Sequence, residues 1–595
     1  MTAGLSRRRV IGAGIGIGAG ITAGAVGAPA AHAAAHAVRP GSTVAITGTT
    51  VIDATGARPQ RNVTVLVRGE RIAAVGSARR VRVPADAEVV DGRGKFVVPG
   101  FIDSHAHGSG QEEIDPPLFL ANGVTTVRDL NGQALLYDWR DRVAAGTLFG
   151  PRYLVASSIV DGNPSLLVGL GSPYIEVADG EESRAAVRRS VAEGADFIKV
   201  YARLTPDAYH AIADECRKLG VSFVGHTPDA IPLAEASAAG QRSFEHIYTS
   251  WFDTSSEERE IRRRLARIEV GGGEYNSWFR QTHPLEVLAA RTFDPHRARK
   301  VFRGLAADGS HQVPTLTQHR VFDLPESVAL HDDRLRYLPA ATRDGWRIQL
   351  EQLYLAGRSP QDVAEHRELF AARLRWIGAA HRAGVPVLAG TDTGTAYVYP
   401  GFSLHDELEN LTEAGLSPMQ ALRAATSAPA RFLGLHDVGV VRRGAIADLA
   451  VLDADPLADI RNTKRVHAVV VRGALISAER RERMLGDVEA AASAGALPAR
   501  LAGCACVPVL ASADASGLSA WRVRAWCIRS VAGSPDSRPV RTGQAEQGRR
   551  LGARVTDGSL LDGVQETRRE TAVAVCSNVS VATSSSVSAG CFVAW

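Results

Sequence analysis

Three things are scarce in this sequence: lysine, cysteine outside the last hundred residues, and net charge. Only five of the 68 Lys and Arg residues are lysine. Cys216 is the one cysteine before residue 500, so the main body is not a disulfide scaffold. The formal charge of +4 over 595 residues gives no case for a nucleic-acid partner. At this length we expect two or more domains, with the composition of an ordinary globular protein.

Long apolar runs are also lacking after the first 38 residues, so no bilayer-spanning segment is predicted there. The stretch "SRRRVIG" at 6–12 precedes an uncharged run rich in Gly, Ala and Ile. It resembles a twin-arginine export signal, with Arg7 and Arg8 as the pair; a membrane anchor is the alternative. Because many glycines weaken a spanning helix, we predict a removed signal over 1–37 and no stable membrane insertion afterwards. The expected destination is the periplasm, the cell envelope or the exterior.

Two β-rich arms flank a long middle segment. Short alternating apolar runs broken by Gly and Asp occur over 38–97 and return over 437–490. We therefore predict one small β-sandwich domain built from both arms. The tail, 491–595, is rich in Ala, Ser, Arg, Gly and Val, and we predict that it is disordered or forms no domain. A small separate binding module is the alternative for this tail.

The middle segment, 98–436, alternates apolar strand candidates with amphipathic helices, which is typical of parallel α/β folds. Eight strand candidates can be counted, at 97–107, 123–130, 152–160, 196–202, 222–228, 242–248, 311–318 and 385–393. This pattern predicts a (β/α)₈ barrel. A doubly wound sheet is the alternative, but no Gly-rich phosphate loop follows the first strand. Long connections at 251–310 and 322–382 are expected to form walls or lids over the site, or contacts of a homo-oligomer.

Residues able to bind a metal recur at the ends of these strands. In "GFIDSHAHG" the alternation of a strand places Asp103, His105 and His107 on one face. A lone histidine there would usually be a core residue, whereas a pair with a carboxylate behind it indicates metal ligands, with Asp103 behind them to hydrogen-bond and orient a ligand. The other strand-end candidates are Lys199, His226, His246 and Asp392. Because catalytic groups of barrels gather at this end, the set predicts a metal centre.

Lys199 is notable because this chain uses arginine almost everywhere else for a cation. An ion-paired surface lysine is the alternative, but arginine would fill that role equally well. Burial lowers a lysine pKa, and a neutral amine can capture carbon dioxide as a carbamate. The two carbamate oxygens could then bridge two divalent cations.

The strand-end motifs resemble the metal-dependent amidohydrolase superfamily, near its imidazolonepropionase-like and dipeptidase-like members. The matching stretches are "PGFIDSHAH", "GVTTVRD", "GADFIKV", "GHTP", "SFEHI", "AGTDTG", "LTEAGLSPMQALRAATSAPARFLGL" and "GAIADLAVLDADPL". The resemblance covers about residues 43–476 and leaves the signal and the tail outside. It implies a (β/α)₈ barrel beside a small β-sandwich, in agreement with the organisation above.

The resemblance also implies roles for single residues. His105, His107 and Asp392 would bind the more buried of two divalent ions, His226 and His246 would bind the second, and a carbamate on Lys199 would bridge them. Zinc is the usual ion of this class, but the ligands also suit manganese, iron, cobalt or nickel. A single ion on His105, His107, His226 and Asp392 is the alternative. Asp392 would act as general base and then as general acid.

These roles predict an exported metal-dependent hydrolase that cleaves an amide or peptide-like C–N bond in a small molecule. Dipeptide-like compounds, cyclic amides and N-acyl compounds all fit such a centre. Candidate substrate-binding residues are Tyr201, Arg203 and His319, for each of which a structural role is an equal alternative. Two other functions stay open: a lactonase or phosphotriesterase with the same metals, and a non-catalytic barrel.

Overall fold

A computed structural model of the protein describes residues 43–168, 172–270 and 275–495. The predicted export signal at 1–37 and the tail from residue 496 onward lie outside these residues and stay predictions. Within the described ranges, no helix combines the length and the apolar character needed to cross a membrane.

The secondary structure alternates between strands and helices through the middle of the chain. The strands are β1 (Thr43–Val51), β2 (Gln60–Arg68), β3 (Arg71–Ser77), β4 (Glu88–Asp91), β5 (Phe96–Pro99), β6 (Phe101–Ala106), β7 (Val124–Asp129), β8 (Arg152–Val155), β9 (Ile159–Gly162), β10 (Tyr174–Val177), β11 (Ile198–Val200), β12 (Phe223–Gly225), β13 (Ser243–Glu245), β14 (His311–Val313), β15 (Leu449–Leu452), β16 (Val466–Val471) and β17 (Ala474–Ile476). The α-helices are α1 (Asp115–Ala121), α2 (Ala134–Ala145), α3 (Gly180–Glu193), α4 (Pro206–Leu219), α5 (Leu233–Ala238), α6 (Glu258–Leu265), α7 (Tyr275–Arg291), α8 (Pro295–Asp308), α9 (Leu316–Asp323), α10 (Ala340–Gln349), α11 (Pro360–Arg382), α12 (Phe402–Glu413), α13 (Pro418–Ala424), α14 (Ser427–Phe432) and α15 (Ala478–Ser493).

The two β-rich arms meet in one sheet, in the order β17-β16-β15-β5-β1-β2-β3 with β4 beside β1. The join between the arms is the antiparallel pairing of β5 with β15, in which Val97 faces Val451 and Pro99 faces Leu449. Alternate residues of both arms, such as Val65 and Val470, share one buried apolar cluster. Because neither arm alone could bury this face, residues distant in sequence build a single sheet domain.

The middle of the chain contains two parallel sheets, β6-β7-β8 and β10-β9-β11-β12-β13-β14. Helices connect most of these strands, and one large apolar core includes strand residues such as Val127 and Phe244 together with helix residues such as Trp139 and Ile212. The mixed α/β architecture predicted from strand–helix alternation is therefore confirmed.

Single backbone bridges link these two sheets and the segment 385–393. Ala156 pairs with Phe197, Gln312 with Val387, and Ala106 with Thr393, all in parallel orientation. The segment 385–393 was expected to be the eighth strand, but it makes isolated bridges instead of a continuous ladder. Pro386 has no N–H to donate, and Asp392 has a left-handed φ of 62°, so regular pairing is interrupted at both ends.

The last described helix, α15, packs back on the middle segment of the chain. Its buried residues Val488 and Ala492 share an apolar cluster with Ile114, which directly precedes α1, and with Leu118, which lies within α1. The helix ends at Ser493, three residues beyond the boundary of 490 predicted for the second arm. The C-terminal arm is thereby joined to the segment that follows β6.

Gly225 sets the spacing between β12 and β11 just before His226. Its φ is 138°, and a Cβ at this position would lie 2.1 Å from the carbonyl oxygen of Val200. That oxygen accepts a hydrogen bond from the backbone N–H of His226 at 3.2 Å. A side chain would therefore push apart the two strands that carry Lys199 and His226.

We predict that Gly225→Ala lowers the free energy of unfolding by at least about 2 kcal/mol, because the new Cβ clashes with backbone and φ is strained. Chemical denaturation followed by circular dichroism measures this. The matched control is Gly304→Ala, in the exposed interior of α8 where a Cβ meets nothing, and it should stabilise by about 0.5–1 kcal/mol. Equal stability of the two variants would contradict the close-approach argument.

Candidate metal centre

Three predicted ligands converge at the end of β6. His105 and His107 lie two residues apart and are buried, with their Nε2 atoms 3.3 Å from each other. Oδ1 of Asp392 lies 3.1 Å from each of these nitrogens. The backbone N–H of Asp392 donates to the carbonyl of His105 at 2.8 Å, which places the carboxylate against the pair. These three side chains form a candidate metal site whose ligand atoms lie within 4.8 Å of one another.

The other two predicted histidines lie beside this group. The ring of His246 is 4.7 Å from the ring of His105 and 4.8 Å from that of His226, measured between centroids. His246 follows the last residue of β13 with a left-handed φ of 64°, and its Nδ1 lies 2.7 Å from Oγ1 of Thr315. Four imidazoles from the ends of three strands therefore line one space.

Lys199 is buried in the centre of β11, and its backbone N–H donates to Oγ of Ser157 at 3.0 Å. Burial and the charge of Lys199 both act to lower the pKa of His105, but Asp392 and Glu245 outweigh them and raise it. Lys199 therefore acts electrostatically on the same imidazole that the metal would bind.

Glu245, the last residue of β13, is a functional residue that the sequence analysis missed. Its Oε2 accepts a hydrogen bond from Nδ1 of His105 at 2.7 Å, and its Oε1 accepts one from Nη2 of Arg128 at 3.0 Å. Burial raises the pKa of Glu245, but Arg128 and His105 together hold it below its ordinary value. Because an ionised carboxylate can only accept, Nδ1 of His105 carries a proton, which leaves Nε2 as the nitrogen that would bind a metal.

The signal for Glu245 was its place in "SFEHI", directly before His246. Strand alternation sends neighbouring side chains to opposite faces, so this acid was not expected to share the site with its neighbour. The left-handed backbone at His246 breaks the alternation and brings both side chains to the same side.

Asp103 lies behind the histidine pair, but it acts through the backbone. Its carboxylate accepts hydrogen bonds from the N–H of His105 at 3.2 Å and from both the N–H and the hydroxyl of Thr391, at 3.1 and 2.7 Å. Burial raises the pKa of Asp103 to about 6. Asp103 thus connects β6 to the segment that carries Asp392. The carboxylate that accepts from Nδ1 of His105 belongs to Glu245.

The predicted substrate-binding residues take different positions. The ring of Tyr201 lies 4.1 Å from that of His226, so it borders the centre. Arg203 is held by Asp229 at 3.0 Å, an acid that also accepts from Nε1 of Trp278 at 2.9 Å. That guanidinium is thus already paired.

His319 lies beside the centre and carries its proton on Nδ1. Its Nε2 accepts a hydrogen bond from the backbone N–H of Ile247 at 3.0 Å, so Nδ1 carries the proton. Burial and the nearby Arg373 hold the pKa of His319 well below its ordinary value, which keeps the ring neutral. Within the described part of the chain, Nδ1 is buried and meets no acceptor, and the ring lies 6.2 Å from that of His246.

The donor set fits a divalent metal ion. Imidazole nitrogens and carboxylate oxygens are ligands of zinc and of other first-row metals. The pair of Nε2 atoms and Oδ1 of Asp392 already face one another, and the tautomer of His105 is set by Glu245. These residues can therefore hold a cation without a change of rotamer.

Comparisons with known proteins give a family and a fold. Residues 295–476 match the amidohydrolase family. A dihydroorotase of Anaeromyxobacter dehalogenans is 26% identical over 404 residues, which are 66% of this chain and 84% of that protein. The solved structure of a bottromycin amidohydrolase is 24% identical with a TM-score of 0.61 and covers 81% of this chain and 98% of its own. A Xaa-Pro dipeptidase structure is 19% identical with a TM-score of 0.52, over 73% of this chain and 100% of that one.

These findings support the amidohydrolase superfamily, and the structural likeness implies a TIM-barrel-like fold with an additional sheet domain. They confirm the prediction of an enzyme that hydrolyses carbon–nitrogen bonds. The family also implies a divalent metal centre, for which His105, His107 and Asp392 form the candidate site.

We predict that Glu245→Gln weakens metal binding by about 10- to 100-fold, because the neutral amide no longer fixes the tautomer of His105. Competition with a fluorescent chelator measures the affinity, and circular dichroism checks the fold. Glu245→Asp retains the negative charge beside Arg128 but has a shorter side chain. Comparing its fold and metal affinity with those of Glu245→Gln tests whether loss of folding alone explains the weaker binding. Glu482→Gln, on the exposed side of α15, is the control and should bind metal normally. Unchanged affinity in folded Glu245→Gln would contradict the assignment.

Proposed function

We propose that the protein is a metal-dependent hydrolase that cleaves an amide or peptide-like C–N bond in a small molecule. The observation that carries this proposal is the convergence of His105, His107 and Asp392 beside His226 and His246. These side chains come from the carboxyl ends of strands of the parallel sheets and from the bridged segment 385–393, where catalytic groups of barrel enzymes gather.

We further propose that the eight segments form a closed (β/α)₈ barrel. Three bridges support this. Ala156–Phe197 joins the two parallel sheets directly beside β8 and β11, and Gln312–Val387 and Ala106–Thr393 join their other edges through the segment 385–393. The arms would then form the β-sandwich beside it.

The proposed centre holds two divalent ions, with zinc as the favoured metal. His105, His107 and Asp392 would hold one ion, and His226 and His246 the other, with a carbamate on Lys199 between them. A divalent cation would supply Lewis acidity, which activates water and polarises a carbonyl group.

Asp392 is the proposed carrier of the proton. Burial raises its pKa, but His246, His105 and His107 hold it well below the ordinary value, so the carboxylate is ionised at neutral pH. Its Oδ2 accepts from the hydroxyl of Thr395 at 3.0 Å, which fixes the carboxylate plane. Asp392 can therefore accept a proton from water and return it to the leaving amine. The N–H at Nδ1 of His319, which is buried and has no acceptor among the described residues, would hydrogen-bond a substrate oxygen.

The proposed substrates are small amides or dipeptide-like compounds. The names of two similar proteins, a dihydroorotase and a Xaa-Pro dipeptidase, support this choice. Export through the predicted twin-arginine signal, with action outside the cytoplasm, also belongs to this proposal. The small net charge continues to argue against a nucleic-acid partner.

The function is tested by turnover of the metal-loaded enzyme on two panels. One panel contains N-acyl amino acids, dipeptides and cyclic amides, and the other contains lactones and phosphotriesters. We expect higher kcat/KM on an amide, loss of activity on chelation, and recovery when zinc is restored. Faster turnover of an ester would favour the lactonase or phosphotriesterase alternative.

Two variants serve as controls in this assay. Asp392→Asn should lose turnover because it removes the proton acceptor, whereas Asp333→Asn, at an exposed site, should retain it. Full activity of chelated protein would overturn the metal-dependent mechanism.

The bridging role of Lys199 generates a separate prediction. Lys199→Arg cannot form a carbamate, so metal content should fall from about two ions per chain to about one. Elemental analysis measures the metal, and ¹³C NMR after incubation with labelled bicarbonate detects the carbamate in the unmodified protein. Lys218→Arg, at an exposed lysine of α4, is the matched control and should retain both signals. Two ions without a carbamate signal would contradict the bridge.

A further inference from the structure

A cavity of about 480 Å³ adjoins the candidate metal centre. Tyr248 and His319 form its inner end. The ring of Tyr248 lies 5.2 Å from that of His246 and 5.0 Å from that of His319, measured between centroids. Tyr248 and His319 therefore border both the cavity and the centre.

Aromatic rings line the cavity in a continuous row that begins at Tyr248. Phe279 lies 5.3 Å from Tyr248, Phe322 lies 6.0 Å from Phe279, and Tyr354 lies 4.6 Å from Phe322, between ring centroids. Phe279 comes from α7, Phe322 from α9, and Tyr354 from the π-helical segment Leu350–Leu355 that continues α10. Such a wall favours a flat or extended apolar group.

Arg358 lines the same cavity on the chain segment of Tyr354. Its guanidinium donates to the backbone carbonyls of Phe322 and Asp323. Among the described residues, no carboxylate lies within ion-pair distance of Arg358. Burial lowers the pKa of this guanidinium. A half-buried cation that donates to carbonyl oxygens retains the capacity to bind an anion.

The acidic groups of the cavity are already engaged elsewhere. Nε of Arg373 donates to Asp323 at 2.8 Å, and Nη2 of Arg373 donates to Glu286 at 2.9 Å. Asp362 accepts from the backbone and hydroxyl of Ser359, both at 2.8 Å, in the cap of α11. Two lining arginines, Arg280 and Arg358, have no carboxylate within ion-pair distance among the described residues. Arg280 is exposed and Arg358 is half-buried, so Arg358 is the cation that lies further inside the cavity wall.

We propose that this cavity selects amide substrates whose apolar, preferably aromatic, group carries a carboxylate, and that Arg358 binds that carboxylate. The inference rests on the proposed function, because the scissile amide would lie at the Tyr248 end beside the metal centre. N-acyl aromatic amino acids are the corresponding substrate class. In their hydrolysis the C–N bond breaks, the acyl carbon gains OH from water, and the amine nitrogen gains the proton.

The test compares N-acetylphenylalanine with N-acetylphenylalaninol, which has the same amide and ring but no charge. The unmodified enzyme should prefer the carboxylate by about 10- to 100-fold in kcat/KM, mainly through KM. Arg358→Gln should abolish this preference, and Arg358→Lys should retain part of it because the charge remains. N-acetylalanine should be a poorer substrate than N-acetylphenylalanine.

Arg343→Gln, at an exposed arginine of α10, is the matched control and should leave the preference unchanged. A role of Arg358 confined to holding the chain segment would change both substrates equally. Equal use of the two substrates by the unmodified enzyme, or an unchanged preference in folded Arg358→Gln, would overturn the inference.

Calorimetric binding of 3-phenylpropanoate and 3-phenylpropan-1-ol separates this inference from the proposed function, because it needs no turnover. We expect tighter binding of the carboxylate, lost in Arg358→Gln although the metal ligands are intact. Hydrolysis of neutral amides without this binding preference would overturn the cavity assignment alone. Absence of all C–N hydrolysis, with the preference retained, would overturn the proposed function alone.

Discussion

The buried ion pair between Arg128 and Glu245 is the interaction on which the candidate metal centre depends. Arg128 lies on β7, and its guanidinium also donates to the carbonyl of Ser104 on β6 and to the hydroxyl of Ser243 on β13. Burying both charges costs free energy that is offset only by close mutual hydrogen bonding. Three strands are thereby held around one cation, and the carboxylate it fixes orients His105 for the metal.

Two left-handed residues turn the strand ends into a site. His246 and Asp392 have φ values of 64° and 62°, a conformation that costs free energy for any residue other than glycine. At His246 it directs the imidazole and Glu245 to the same side. At Asp392 it allows the backbone N–H to bind the carbonyl of His105, while Asp103 holds Thr391 in the preceding position. The strain is therefore concentrated where the ligands must meet.

Chemistry and selectivity come from different parts of the chain. The strand ends supply the candidate metal ligands and the proposed proton acceptor, and they are held by buried hydrogen bonds between strands. The two long connections supply the cavity wall, including Phe279, Tyr354 and Arg358. This division is typical of barrel folds, in which loops change the substrate while the strands retain the reaction.

Local pattern in the sequence determined the two β-rich arms, the parallel strand–helix alternation and the strand ends at which His105, His107, His226, His246 and Asp392 occur. Periodicity reports which side chains share a face, and these features need nothing more. Tertiary structure alone decided which side chains pair: Glu245 accepts a hydrogen bond from His105, and Asp229 forms an ion pair with Arg203. It also decided that segment 385–393 makes isolated bridges and not a continuous eighth strand. The cavity with Arg358 also belongs here, because its walls come from segments far apart in sequence. Hydrogen bonds and burial depend on which segments pack together, and a periodic pattern does not specify that.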